Sequence, residues 1–246
     1  MTRESMSRRL SLLAIVLVVP LASGLHAQNE GLGLRPIPTN PKAWAGVSLI
    51  FALPQDEFRS YVNNGWGLGL DYSPNIGHSG AFQLRVEGAF LQYGNETKHA
   101  CLSISVGCRI TVDVHTSNNI LAFGLGPQLM VPHGPVRPYV TGTVGFSYFF
   151  TRSSVQGSSD AEPFAESTNF DDWIFSWTAG GGVYIPVRNG RKPIAIDAAV
   201  RYHGNGQTEY LREGSITDNG DGSITIAPVR SRTNYVAFHL GVAFGI

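Results

Sequence analysis

The chain has 246 residues with 18 basic and 18 acidic side chains, is 43% hydrophobic, and holds 29 glycines but only two cysteines. Such a charge balance argues against nucleic acid as a partner. With no internal linker in sight, the length fits one domain rather than two.

Residues 1–27 read as an export signal. Arg3, Arg8 and Arg9 give a positive start, Leu10 to Leu21 is almost wholly apolar, and Leu25-His26-Ala27 ends on a small residue at the cut. Ala22-Ser23-Gly24 offers an earlier site. Removal takes Arg3, Arg8, Arg9 and Glu4 away, leaving 15 basic and 17 acidic residues. Residues 28–42, broken by Gly31, Gly33, Pro36, Pro38 and Pro41, are a short N-terminal segment.

From residue 43 onward the dominant signal is a period of two. A first strand turns Ala45, Val47, Leu49, Phe51 and Leu53 one way and Gly46 and Ser48 the other. In a second, Trp66, Leu68, Leu70 and Tyr72 alternate with Gly65, Gly67, Gly69 and Asp71. A third sets Phe82, Leu84, Val86 and Phe90 against Gln83, Arg85, Glu87 and Ala89. Large apolar groups alternating with glycine, alanine or polar groups mark a lipid-facing strand, whereas a soluble sandwich turns polar groups outward.

Cys101 and Cys108 close a short segment in a chain expected to leave the reducing cytosol, so a disulfide loop is the natural reading and two free thiols the alternative. His99 alone does not supply the further ligands that a metal would need. Asn95-Glu96-Thr97 is read as a chance match to a glycan acceptor.

A fourth strand, from about Arg109 to Met130, exposes Leu121, Phe123 and Leu125. Its first half, with Ile110, Val112 and Val114 outward against Thr111, Asp113 and His115, is expected to project above the bilayer, since about 9 to 11 residues suffice to cross. A fifth turns Val140, Val144, Phe146 and Tyr148 out, and a sixth Trp173, Phe175, Trp177, Val183 and Ile185. The stretch Trp173–Val187, with Gly180, Gly181 and Gly182, is too short and glycine-rich for a spanning helix of about 20 apolar residues. A seventh turns Ile194, Ile196, Ala198, Val200 and Tyr202 out against Asp197, Arg201 and His203, and the eighth runs through Val236, Phe238, Leu240, Val242, Phe244 and Ile246.

Connections alternate in length. Those at 74–80, 131–137 and 187–193 are short and rich in Pro and Gly; those at 54–64, 94–108, 151–172 and 204–232 are long and polar. Short turns belong on the periplasmic side and long loops outside. The last loop holds a candidate hairpin, Ser215-Ile216-Thr217 and Ser223-Ile224-Thr225-Ile226, around Asp218-Asn219-Gly220-Asp221-Gly222, which reads as a turn rather than a calcium site. It is expected to extend the last two strands.

Strand phase, loop alternation and the aromatic final strand resemble the small outer-membrane barrel family that includes the transmembrane domain of OmpA and the OmpX-like proteins. The resemblance runs from Ala43 to Ile246 and implies an all-β, eight-stranded antiparallel transmembrane up-and-down barrel over residues 43–246. It implies location in the cell outer membrane, a monomeric state, outer-membrane lipid and lipopolysaccharide as surroundings, and the barrel-assembly machinery as reader of the last strand. The family often ends in Phe or Trp, whereas here Phe244 is followed by Gly245 and Ile246.

The inward charges Arg85, Glu87, Asp197 and Arg201 form a candidate lumen salt-bridge network. Buried charges left unpaired cost several kcal/mol. The network either fills and stabilises a narrow lumen or, by exchanging partners, gates a water or ion path. His115-Thr116-Ser117-Asn118 is similar to the His-x-Ser-Asn motif of the lipid A deacylase barrels, but its expected parity is inward, away from lipid. Arg201-Tyr202-His203-Gly204-Asn205 is a second match lacking the serine. The loop 153–172, with Asp160, Glu162, Glu166, Asp171, Asp172, Phe164 and Phe170, is either solvated or a recognition surface. Trp66, Trp173, Trp177, Tyr72, Tyr148 and Tyr202 read as interface anchors. The expectation is a structural or surface-interaction barrel with no enzyme activity, no catalytic residue, no cofactor and no metal. The alternatives are a lipid A deacylase-like enzyme and a narrow gated pore.

Overall fold

The structure, a computed structural model, describes residues 41–77, 79–101, 111–157, 163–190, 192–219 and 224–246. Its elements in chain order are β1 (Ala43–Pro54), α1 (Asp56–Arg59), β2 (Gly65–Pro74), β3 (Phe82–Cys101), β4 (Thr111–Met130), β5 (Arg137–Gly157), β6 (Pro163–Arg188), β7 (Ile194–Asn205), β8 (Gln207–Tyr210), β9 (Ile216–Asp218), β10 (Ile224–Ile226), β11 (Val229–Arg232) and β12 (Tyr235–Gly245). Eight of them close an antiparallel barrel in the order β1-β12-β7-β6-β5-β4-β3-β2. Closure is made by β1 and β12, paired from Trp44↔Gly245 to Pro54↔Tyr235.

Alternation sets which face is inside. On β1 Leu49 is 65% exposed and its neighbour Ile50 1%; on β2 Trp66 is 66% exposed. Leu68, Leu70, Val140, Val144, Phe175, Trp177, Val200 and Leu240 continue the exposed apolar belt. Soluble monomers rarely leave a contiguous apolar girdle of this kind in water. Among the described residues no helix is long and apolar enough to cross a membrane.

The short turns end in glycines at positive φ, Gly77 and Gly80 before β3, Gly134 before β5 and Gly190 before β7, where a side chain would be strained. At the other end the strands outrun their expected length. The connections expected at 94–108 and 151–172 are largely strand: β3 and β4 pair out to Cys101↔Thr111, and β5 and β6 out to Gln156↔Pro163. Beyond the bilayer both faces of a strand accept polar residues, so the alternation fades while the backbone pairing continues. Glu166, Phe170, Asp171 and Asp172 therefore lie on β6, whereas Asp160 and Glu162 are outside the described residues.

The parity expected for the start of the fourth strand is corrected. Val112 is 6% exposed and Asn118 and Ile120 are buried, in phase with Ala122, Gln128 and Met130, and β4 runs against β3 and β5 without a bulge of its own in this stretch. His115 and Ser117 thus share the outward parity of Leu121 and Phe123. The irregularity is on β3, where Tyr93 is an extra residue between Gln92↔Asn119 and Gly94↔Asn118 and turns into the barrel.

The hairpin expected in the last loop is present as β9 paired with β10, Ile216↔Ile226 to Asp218↔Ile224. It does not extend β7 and β12. It and a second ribbon, β8 with β11, form separate two-stranded sheets.

Candidate functional site in the barrel lumen

The interior is filled in three layers. At the long-loop end, Phe58 of the four-residue helix α1 inserts among Tyr93, Phe149 and Tyr210, with ring centroids 5.6, 6.3 and 5.3 Å away. Ile50, Leu91 and Ile120 complete this apolar layer. One helical turn has no stability of its own. This one is fixed by Phe58, by the Glu57 carboxylate accepting from the Arg232 backbone N–H at 2.9 Å, and by the Gln55 N–H donating to the Asn234 carbonyl. At the short-turn end Trp44, Met130, Tyr139 and Tyr184 close the bore, with the Tyr184 ring 5.2 Å from Trp44 and 5.0 Å from Tyr139.

Between the two lies a charged layer. Arg85 Nη2 sits 2.9 Å from Asp71 Oδ1 and its Nε donates to Glu87 Oε2 at 2.8 Å. Arg201 Nη1 reaches the same Glu87 oxygen at 3.1 Å. Thr143 donates to the other Glu87 oxygen at 2.8 Å. Glu87 on β3 is thus shared by two guanidinium groups from opposite walls. Asp197 enters differently: the Tyr139 hydroxyl donates to it at 2.8 Å and in turn accepts from Arg201 Nη2 at 3.3 Å. An amide chain continues toward the short turns, Arg85 to Gln128, Gln128 to Gln83 and Gln83 to Asn75.

Room for these groups comes from glycine on neighbouring strands. A Cβ at Gly46 would lie 2.6 Å from an Asp71 carboxylate oxygen, one at Gly124 2.7 Å from the Thr143 hydroxyl, and one at Gly180 2.9 Å from Arg201 Cγ. Toward the loop end the layer holds His239, 3.2 Å from the Ser48 hydroxyl, and His203, 3.1 Å from Thr178 and stacked on Tyr235 at 4.4 Å. A cavity of about 20 Å³ lies beside Asp71, Glu87, Arg201 and the two histidines, room for about one water. Asp71 Oδ2, Arg201 Nε and His239 Nε2 have no protein partner there.

Arg85, Glu87 and Arg201 thus meet directly and Asp197 joins through Tyr139. Asp71 was visible only as an inward polar position and emerges as an ion-pair partner. Tyr139, Gln128 and His239 carried no sequence signal beyond inward parity, and His203 was singled out only within the partial match Arg201 to Asn205. Phe58 had no periodic signal at all. The disulfide expected between Cys101 and Cys108 falls outside the described residues. Among the described residues no cluster of three or more His, Cys, Asp or Glu could hold a metal.

His115 and Ser117 face outward above the belt, but each has another partner. His115 Nδ1 lies 2.8 Å from the Thr97 hydroxyl, and Asn119 donates to Ser117 Oγ at 3.0 Å. Outside the spanning segments, Asp172 ties β6 to the β8–β11 ribbon. Burial raises its pKa, but hydrogen bonds from the Thr208 hydroxyl and the Glu209 and Trp173 N–H groups outweigh this and hold the carboxyl below its usual range.

No protein-family model and no curated protein matches the sequence. Among solved structures the chain is similar to neisserial surface protein A, at 11% identity and TM-score 0.42 over 83% of this chain and 97% of that one. It is similar to the attachment invasion locus protein of Yersinia pestis, at 12% identity and TM-score 0.42 over 83% and 98%. A major outer membrane protein from Thermus thermophilus gives 13%, 0.42, 82% and 98%. The chain is thus a closed eight-stranded antiparallel β-barrel with an apolar outer belt and a polar, filled bore.

Proposed function

We propose that the chain is exported by a cleaved N-terminal signal and works in the outer membrane as a closed, monomeric barrel with a structural or surface-interaction role rather than as a pore or an enzyme. The observation carrying this reading is the bore itself: aromatic layers at both ends enclose an ion-paired middle with space for about one water. Surface contacts then fall to the strands that outrun the bilayer, β3 to β6, and to the ribbons above them. Outer-membrane lipid and lipopolysaccharide surround the belt, and the barrel-assembly machinery reads β12.

The test is gel mobility of protein from washed outer membranes, boiled and unboiled, together with planar-bilayer recording. A faster unboiled band without channel steps is expected. Discrete conductance that Glu87→Ala alters would replace this reading with the gated pore. A second reading, lipid A hydrolysis, is favoured by the outward parity of His115 and Ser117 at the loop end and opposed by their separate partners, Thr97 and Asn119. Mass spectrometry of lipid A from cells with and without the protein decides it, since identical acylation removes the enzyme.

A further inference from the structure

The charges outside the lumen are sorted by end. The short-turn segments 74–81, 131–136 and 187–193, with Pro41 and Lys42, contain no Asp or Glu, yet Lys42, Arg188, Arg191 and Lys192 lie in them and Arg137 opens β5 beside them. The long-loop end carries Asp56, Glu57, Glu96, Asp113, Glu166, Asp171, Asp172, Glu209, Glu213 and Asp218 against fewer cations.

The short-turn cations occupy one arc. Arg137 is paired with Tyr184 near the end of β6, Arg188 closes β6, and Lys192 precedes β7. Pro193 accepts from the Gly245 N–H, and Ile246 pairs with Ala43 beside Lys42. In barrel order these are the contiguous strands β5-β6-β7-β12-β1. Lys42, Arg188 and Lys192 are exposed, and among the described residues none of the four placed cations is in an ion pair. Arg137 lies over the Trp44 ring, its Nε without a partner. Exposed apolar side chains stand between them: Val136 at 49%, Val187 at 60% and Ile246 at 63%.

Unpaired cations interleaved with exposed apolar groups, at the edge of a lipid-facing belt, match the boundary where acyl chains meet phosphates. Basic residues held there are drawn to anionic headgroups. We propose that this arc is a seat for anionic phospholipid headgroups of the leaflet at the short-turn end, which the barrel therefore gathers around half of its rim. This rests on the reading that the barrel sits in a bilayer.

The probe is the full exported chain inserted in vesicles of equal phosphatidylglycerol and phosphatidylcholine with identical acyl chains, then extracted in mild detergent for quantification of the lipid retained. Phosphatidylglycerol is expected to be enriched at least about threefold. The enrichment should vanish in the triple variant Lys42→Gln, Arg188→Gln, Lys192→Gln and at high salt, and persist in Arg59→Gln, Arg152→Gln, Arg230→Gln at the other end. Equal retention of the two lipids, or an enrichment that the rim variant leaves intact, overturns the inference. The unboiled gel shift is read on every sample: its presence with equal retention rejects only the lipid seat, whereas its absence in the unaltered chain rejects the outer-membrane reading as well.

Discussion

Glu87 is the residue on which the buried charges turn, because one of its oxygens serves Arg85 and Arg201 together. Glu87→Ala leaves two guanidinium groups facing each other across a narrow bore. Breaking a buried pair from one side costs about 3–5 kcal/mol, so the temperature at which the fast unboiled band disappears should fall well below that of the unaltered barrel. Asp197→Asn should cost less, since Asp197 is reached through the Tyr139 hydroxyl and an amide oxygen still accepts from it. Gly180→Ala puts a methyl 2.4 Å from the Val200 carbonyl oxygen and 2.7 Å from Arg201 Cα. It should destabilise by about 1–3 kcal/mol in a urea titration in detergent, as overpacked sites do. The inward parity of Arg85, Glu87, Asp197 and Arg201 was legible because alternation assigns a face. Their pairing depended on which walls face each other across the bore, and no local pattern carries that.

At the scale of elements, α1 and the β8–β11 ribbon decide how the loop end is closed. Phe58→Ala empties the centre of the aromatic layer and should cost about 3–5 kcal/mol, yet conductance should stay at background because the charged layer beneath remains intact. Asp172 holds the ribbon to β6 with a depressed pKa. The stabilisation is present above the ordinary carboxylate range and is lost as pH falls through the lower folded value. Protection from amide exchange at Thr208–Tyr210, measured against the slower intrinsic rate at each pH, should therefore fall on acidification, and Asp172→Asn should abolish that pH dependence.

The spanning parts of the barrel strands were readable from the chain because lipid outside and packing inside leave each side chain one choice. The start of β4 defeats the same reading in reverse. Above the bilayer Val112 gains burial on the inner face instead, so hydrophobicity no longer points outward. α1 was invisible because a single turn held by one aromatic anchor has no period.

For the molecule as a whole, aromatic layers seal both ends of the barrel. Closure itself rests on β1 and β12, the first and last strands of the sheet, held by a ladder from Trp44↔Gly245 to Pro54↔Tyr235. Such a contact is maximally non-local, and loop-closure entropy must be met before it forms. Every other neighbouring pair in the barrel joins strands that follow each other closely in the chain or, for β7 and β12, flank one loop. The seam is thus an event in time as well as a place. Until β12 docks, β1 presents a bare edge, and the unclosed sheet is a ribbon open to pairing with any other strand. The span before the seam closes is therefore when the folding chain is most open to wrong pairing, and closing it must bring together strands at opposite ends of the barrel sequence.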